Sequence, residues 1–353
     1  MKQILLSILT VLLPFPIYSR DFTYEYEGKI LTYTVIDEDA KTCMTKEGGY
    51  DKNMSITHAV YKAGNYVGGD LVIPKNPIDN DIIYTLISLG DYAFYDCEFL
   101  NSVTIPDGVV TIGKAAFNLC KGLTTVNIPE TVTNINMDAF NCCYCLEHVS
   151  IPNGVTAIYT DTFYNCYNLR DVVIPNTVSY IGMFAFSLCK ALETVVIPEN
   201  ATVKDYAFSQ SGIQSLTLSK GVTIEGENAF KECTKIRKIY SEEKTPLRTF
   251  RNLFPNIVYD KATLYVPVGS ARAYGNTVPW SFFLNLIEYK FESGIDEVMN
   301  DAIDNGLSKS IDFSLTNKIF DLNGVRLDKT FDNLNPGVYI IRQGDKVKKI
   351  LLK

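Results

Sequence analysis

Histidine is almost missing from this chain, and so is tryptophan. Only His58, His148 and Trp280 represent them in 353 residues, which leaves two imidazoles for acid–base work near neutrality and handicaps most hydrolytic chemistry. Positive charge is short as well. Against 40 Asp and Glu stand 33 Lys and Arg, a net charge of −7, so neither a nucleic-acid backbone nor an anionic membrane surface is expected as main partner. The sequence has no G-x-S-x-G, no phosphate-cradling G-x-x-x-x-G-K and no H-E-x-x-H, which removes the nucleophile elbow, the P-loop and the zinc-protease helix. Carboxylates occur in "DEDAK" and "SEEK", both in turn-like stretches where solvated charge is the ordinary explanation. Nothing selects the facing carboxylate pair that glycoside hydrolysis requires. The expectation is a protein without catalytic residues, cofactor or metal.

Long apolar runs are also absent beyond the amino terminus. There, "MKQILLSILTVLLPFPIYSRDF" carries Lys2, an apolar core from Ile4 to Leu13, the breakers Pro14 and Pro16, and the small Ser19. The core is too short for a helix crossing roughly 30 Å of hydrocarbon, so residues 1–19 are expected to be a cleaved export signal. The first cysteine is Cys43, too far along for lipid attachment at a new amino-terminal cysteine.

What the chain has in quantity is a period. Phenylalanines fall at Phe94, Phe117, Phe140, Phe163, Phe186, Phe208 and Phe230, with gaps of 23, 23, 23, 23, 22 and 22. Three residues after each comes Cys97, Cys120, Cys143, Cys166, Cys189 or Cys233, with Ser211 in the slot after Phe208. Leu100, Leu123, Leu146, Leu169, Leu192, Ile213 and Ile236 follow, and then "VTIP", "VNIP", "VSIP", "VVIP", "VVIP" and the degraded "LTLS". A fixed period in the twenties marks a solenoid, each unit burying its apolar face only against its neighbours.

The unit can be assembled from its residues. In "LNSVTIP", Val103 and Ile105 alternate with Ser102 and Thr104, the period of a half-buried strand. Pro106 has no amide hydrogen for a ladder and ends it. "DGVVTIG" supplies a turn and a second extended piece, and "AAFNLC" sets Phe117 and Cys120 three apart, on one side of a helical turn. Equivalent strands stacked about 4.8 Å apart make a parallel ladder, with the phenylalanine and cysteine columns on the opposite side of a curved slab.

These residues resemble the BspA-type leucine-rich repeats of bacterial surface proteins, whose units run L-x-x-V-x-I-P and then I-G-x-x-A-F-x-x-C. The resemblance covers residues 71–267 and implies a leucine-rich repeat solenoid with short helical turns opposite its parallel β-ladder. Its ends fray: "LVIPKNPIDNDIIYTLISLGDYAF" carries an insertion, and "IYSEEKTPLRTFRNLFPNIVYDKATLYVP" lacks the Ala-Phe-x-x-Cys core. Before the array, residues 20–70 are expected to form a β-hairpin cap, with alternation around Glu27-Gly28. After it, residues 268–290 are expected to close the solenoid, with Trp280, Phe282 and Phe283 shielding the last repeat. Residues 291–317 are acidic, without a sustained period, and read as a linker. Residues 318–353 alternate again as a small all-β module. Their Asn323, Gly324, Gly337, Tyr339, Lys348 and Lys349 resemble the carboxy-terminal sorting modules of exported Bacteroidetes proteins, which implies engagement of export machinery at the outer membrane. The alternative is a plain terminal β-domain.

Nine cysteines in an exported protein invite disulfides. A bridge needs Cα atoms roughly 4.4–6.8 Å apart, and the outer side of a curved slab is expected to hold units further apart than its strands do. The ladder thiols are therefore read as small buried hydrophobes. "NCCYC" leaves Cys142 and Cys145 outside the ladder; unpaired thiols, a local disulfide and, with His148, a metal site stay open there.

What remains is surface. The strand positions facing out are Ser102 and Thr104, Thr125 and Asn127, His148 and Ser150, Asp171 and Val173, Thr194 and Val196, Ser215 and Thr217, and Lys238 and Tyr240. They pave a face with small polar groups and no aromatic stripe for sugars, a broad platform for many weak protein contacts or a merely solvated sheet. Tyr144, Tyr159, Tyr164, Tyr167 and Tyr180 form a second candidate surface. The family resemblance implies adhesion to host matrix or neighbouring-cell components. A carbohydrate-binding accessory module and an envelope scaffold are the alternatives.

Overall fold

The computed structural model describes residues 21–26, 29–37, 40–45, 49–50, 56–57 and 68–290, together with strands at 318–320, 326–327, 337–343 and 346–352. The expected signal (1–19), the linker (291–317) and His58 lie outside the described residues.

Three columns of backbone hydrogen bonds run along the repeats. The first is the long-strand face. Gly69–Val72, Leu100–Thr104, Thr125–Asn127, His148–Ser150 and Asp171–Val173 form one parallel sheet. Thr194–Ile197, Ser215–Leu218, Lys238–Ser241, Thr263–Pro267 and Asn285–Tyr289 form a second. Alternation decides which side chains go inward: Val103, Val126, Val149, Val195, Leu216, Ile239 and Leu264 are all buried, and their neighbours face water.

The second column is built of two-residue strands such as Thr111–Ile112, Tyr180–Ile181 and Thr223–Ile224, one from each "TIG"-like stretch. Ile112, Ile135, Ile158, Ile181, Val203 and Ile224 point into the core.

The third column is the turn that carries the phenylalanine. The helical turn expected at Ala-Phe-x-x-Cys is realised as consecutive reverse turns with one hydrogen bond from each unit's core ring position to the next unit. Phe94 N–H donates to Ala116 O at 2.7 Å, Phe117 to Ala139 at 2.8 Å and Phe163 to Ala185 at 2.9 Å. Residues on either side of the phenylalanine take left-handed backbone, among them Ala115 and Leu119, Asp138 and Cys142, and Asp161 and Asn165. That alternation points every second amide along the array rather than back along its own chain, which is why no helix forms.

Because the turns are hydrogen-bonded unit to unit, their spacing is close to that of strands. The rings from Phe94 to Phe230 stack with centroids 5.1–5.5 Å apart and planes within 10° of each other. The wider spacing expected on this side is not there. Five of the six ladder thiols instead point inward and donate to a phenylalanine carbonyl of the unit before: Cys120 to Phe94, Cys143 to Phe117, Cys166 to Phe140, Cys189 to Phe163 and Cys233 to Phe208, at 3.0–3.3 Å. Ser211 meets Cys233 Sγ at 3.3 Å.

After Phe208 the unit is one residue shorter, with Ile213 five residues on rather than six. The chain there passes so close to the previous unit that a Cβ on Gly212 would lie 2.0 Å from Lys190 O. Only glycine fits there.

Both ends are closed by aromatic packing. Phe22 and Tyr33, from the antiparallel pair Asp21–Tyr26 and Lys29–Asp37, pack with Tyr84. Thr42–Thr45 then joins Lys29–Asp37 to the first short strand, Thr85–Leu89. At the other end Phe254, in a stretch without Ala-Phe-x-x-Cys, continues the ring column 5.3 Å from Phe230. Trp280 packs edge-on against Phe254 and donates its indole N–H to Leu247 O at 2.7 Å. Phe283 is buried beside them and Phe282 half-buried. The four strands near the carboxy terminus, Lys318–Phe320, Arg326–Leu327, Gly337–Gln343 and Lys346–Leu352, make an antiparallel sheet of their own.

The long-strand ladder is interrupted once. Asp171–Val173 and Thr194–Ile197 do not pair, although the turn column continues past them, with Asn165 N–H on Ser187 O at 2.8 Å. Val172 and Ile174 are correspondingly half-buried, while Val149 and Ile151 one unit earlier are buried.

Candidate functional site

Register places the outward residues of the long strands in two files. One contains Ser102, Thr125, His148 and Asp171, then, past the interruption, Thr194, Ser215 and Lys238. The other contains Thr104, Asn127, Ser150 and Val173, then Val196, Thr217 and Tyr240. All of them are exposed or half-buried. The files extend beyond both ends of the expected set, to Asp70 and Val72 at one end. At the other they reach Thr263 and Tyr265, then Asn285 and Ile287.

Polar pairing along the files is local. Ser102 Oγ donates to Asp70 Oδ1 at 2.6 Å. His148 Nδ1 lies 3.0 Å from Asp171 Oδ2 and its Nε2 lies 3.9 Å from Glu147 Oε2. The Nδ1 contact lacks hydrogen-bond alignment, so it is an electrostatic one that needs a protonated imidazole.

An aromatic group does stand on this face, contrary to the sequence expectation. Tyr240 and Tyr265 are partners in adjacent strands, 4.6 Å apart and 14° from parallel, and Tyr289 meets both edge-on at 6.0 Å. Tyr265 and Tyr289 belong to the degraded last units, where no repeat motif marks which positions face out; only the pairing of Thr263–Pro267 with its neighbours shows it. The two parallel rings cover one another's inner faces, and both are half-buried.

The other tyrosine group is dispersed. Tyr180 lies on a short strand under Lys204, whereas Tyr164 is in the turn column against Phe184. Tyr144 lies by Cys142, whose hydrogen bond is the main cause pushing its phenol above the ordinary value, with burial second. Tyr159 and Tyr167 are exposed.

The thiols are poorly set for chemistry. Burial pushes Cys233 up to about 11 and Cys97, with help from Asp96, up to about 12. Burial raises Cys120, Cys143, Cys166 and Cys189 as well. A thiol held so far toward its protonated form offers little thiolate, the form that attacks or ligates a metal. Cys142 and Cys145 are half-buried and unbridged, and Asn165 Nδ2 is 3.7 Å from Cys142 Sγ. Among the described residues no cluster of three metal-binding side chains occurs.

Residues 87–210 and 156–257 match the BspA type leucine-rich repeat region, in six copies. The array of this chain belongs to the BspA-type leucine-rich repeats. No curated protein matches the chain. Solved structures similar to it include a leucine-rich repeat protein of T. pallidum, 24% identical, covering 69% of this chain and 91% of that one, with a TM-score of 0.42. A leucine-rich cell surface protein of Faecalibacterium prausnitzii is 18% identical, with 77% and 96% covered and a TM-score of 0.36. The pneumococcal vaccine antigen PcpA is 12% identical, with 76% and 99% covered and a TM-score of 0.35. Among the described residues, no helix is long and apolar enough to cross a membrane.

Proposed function

We propose that this chain is an exported, non-enzymatic protein that holds other proteins at the bacterial cell surface through its long-strand face. The observation that carries the reading is the contrast within one strand. Inward positions repeat Val or Leu almost without change, while outward ones run through Ser, Thr, Asn, His, Asp, Val, Lys and Tyr. A solenoid presents such a face as one broad surface, and varied small side chains ending in tyrosines suit a protein partner better than a reacting substrate.

The leader at residues 1–19 and the sorting-like tail at 318–353 support export, with the tail as the part that meets export machinery. The resemblance supports host matrix or a neighbouring cell as the source of the partner. The test is binding of the full chain to whole cells and immobilised matrix proteins, beside a glycan array. Protein binding that Thr104→Arg with Asn127→Arg abolishes is the expected result. Glycan binding would overturn the reading. So would no binding with the protein fractionating in the envelope, which would leave a scaffold.

A further inference from the structure

On the turn column the repeat supplies its own control. Three residues before the ring, the outer units carry Asp91, Lys114, Asp205 and Glu227, but units in the middle carry Met137 and Met183. Four before it, glycine recurs at Gly90, Gly113, Gly182 and Gly226, whereas the middle unit has Tyr159. Met137 is 43%, Tyr159 38% and Met183 42% exposed, so burial in the core does not account for them. Backbone hydrogen bonds tie their turns together, Asp138 N–H to Thr160 O at 3.1 Å and Asp161 N–H to Met183 O at 3.0 Å. The three side chains therefore belong to one patch across neighbouring units. Adjoining exposed apolar groups mark interaction sites where scattered ones do not, and methionine and tyrosine are favoured there.

Charge at the patch fixes the kind of occupant. Two residues before the ring, successive units carry Asp138, Asp161, Phe184 and Tyr206. Phe184 stacks on Tyr206 at 4.9 Å and meets Tyr164 edge-on at 6.1 Å. Elsewhere on the column a ring takes a cation of this chain, Lys114 over Tyr92 at 5.9 Å and Lys231 over Tyr206 at 5.5 Å. Among the described residues no cation lies over Tyr159, Tyr164 or Phe184. Asp138 accepts from Asn141 Nδ2 at 2.9 Å. Among the described residues no donor or cation meets the Asp161 carboxyl, which burial and then Asp138 push up to about 6. Residues 68–211, which contain the patch, hold 6 Lys and Arg against 15 Asp and Glu, a field that draws cations in.

We propose that this patch docks a segment of a partner protein that presents an arginine between apolar side chains. The apolar side chains cover Met137, Tyr159 and Met183. The guanidinium meets the Asp161 carboxylate, with Asp138 beside it, through charge-assisted hydrogen bonds, and its flat face suits the neighbouring ring of Phe184. Ionised Asp161 is poorly solvated in the free protein, and the arginine gives it the counter-charge that its own chain does not. The site is on the turn column, apart from the long-strand face, and does not depend on the reading given for that face.

The probe is a short fluorescent peptide, blocked at both ends, with one arginine between two leucines, titrated into the full chain. Control peptides replace the arginine by citrulline, which keeps its shape without its charge, or the leucines by serines. The arginine peptide is expected to bind at pH 7.5, and each control about tenfold more weakly. Asp161→Asn should weaken the arginine peptide about tenfold and leave the citrulline peptide unchanged, whereas Tyr159→Ser should weaken both. Lowering the pH through about 6 protonates Asp161, so wild type should lose affinity for the arginine peptide there and Asp161→Asn should not. Equal binding of the arginine and citrulline peptides, indifference to Asp161→Asn, or no binding at all would overturn the proposal. Dimers that form with rising concentration and vanish in Tyr159→Ser would also overturn it, since a second copy would then cover the patch. Thr104→Arg with Asn127→Arg should bind the arginine peptide as wild type does; losing it would move the peptide to the long-strand face. If the arginine peptide never binds while that variant loses cell or matrix binding, the turn-column site falls and the long-strand reading stands.

Discussion

The turn column and the long-strand face share one period and one backbone scaffold, yet they use it in opposite ways. Along the column the same ring recurs from Phe94 to Phe230 with a thiol beside every ring but Phe208, where Ser211 stands, and the rings and thiols bond to the neighbouring unit. Along the face no side chain type is kept for more than two successive strands in either file. The difference follows from what each position touches. A buried ring must match the ring above and below it, so one substitution disturbs two units. An outward threonine touches water and loose neighbours, so its identity is free to answer to a partner.

That contrast can be broken by experiment. Phe163→Ala removes a ring from the middle of the stack and is expected to cost roughly 3–5 kcal/mol, read as a fall in melting temperature. Should Thr194→Ala destabilise as much, the two sides have been assigned wrongly. Cys166→Ser keeps a donor toward Phe140 O but buries a more polar group, and about 1–2 kcal/mol of loss is expected by denaturant titration. A larger loss than for Phe163→Ala would mean the thiols, and not the rings, hold the column.

Alkali tests the same column. The Cys233 thiol is raised from an ordinary 9.0 to about 11 by burial. A folded pKa above the unfolded one gives stability that is complete below pH 9 and lost as pH rises toward 11. Melting temperature should therefore fall through that window more steeply for wild type than for Cys233→Ser.

A smaller effect of the same sign, at lower pH, is expected in the turn column's outer positions. Asp161 is raised from 3.8 to about 6, first by burial and then by Asp138. Its contribution is present below pH 3.8 and lost as pH passes 6, so the ionised group weakens the fold at neutral pH. Asp161→Asn, which accepts the same left-handed backbone, should melt slightly higher at pH 7.5 and no higher at pH 3.5. Thr194→Ala closes the series, within about 0.5 kcal/mol of wild type.

How much was legible beforehand depends on where the period is intact. Val103 and Ile105 against Ser102 and Thr104 could be sorted into core and surface from alternation alone, and Phe117 with Cys120 from recurrence. Three things could not. Phe254 occupies a ring position without the surrounding motif, so only its place against Phe230 identifies it. Tyr265 and Tyr289 face out beside Tyr240 because Thr263–Pro267 and Asn285–Tyr289 continue the ladder in register. The spacing of the turn column was misjudged, since the left-handed residues that tie each turn to the next, such as Leu119 and Cys142, have no sequence signature as clear as glycine.

Recurrence of Phe, Cys, Leu and Ile-Pro at 22–23 residues was enough to establish a stacked repeat and to name its buried columns, because each unit can hide its apolar face only against a copy of itself. Tertiary structure alone decided which of the described strands the ladder joins and where it stops pairing. Those features depend on hydrogen bonds between residues of different units, and backbone groups are chemically alike in every residue but proline, so the side-chain order carries no direct mark of them.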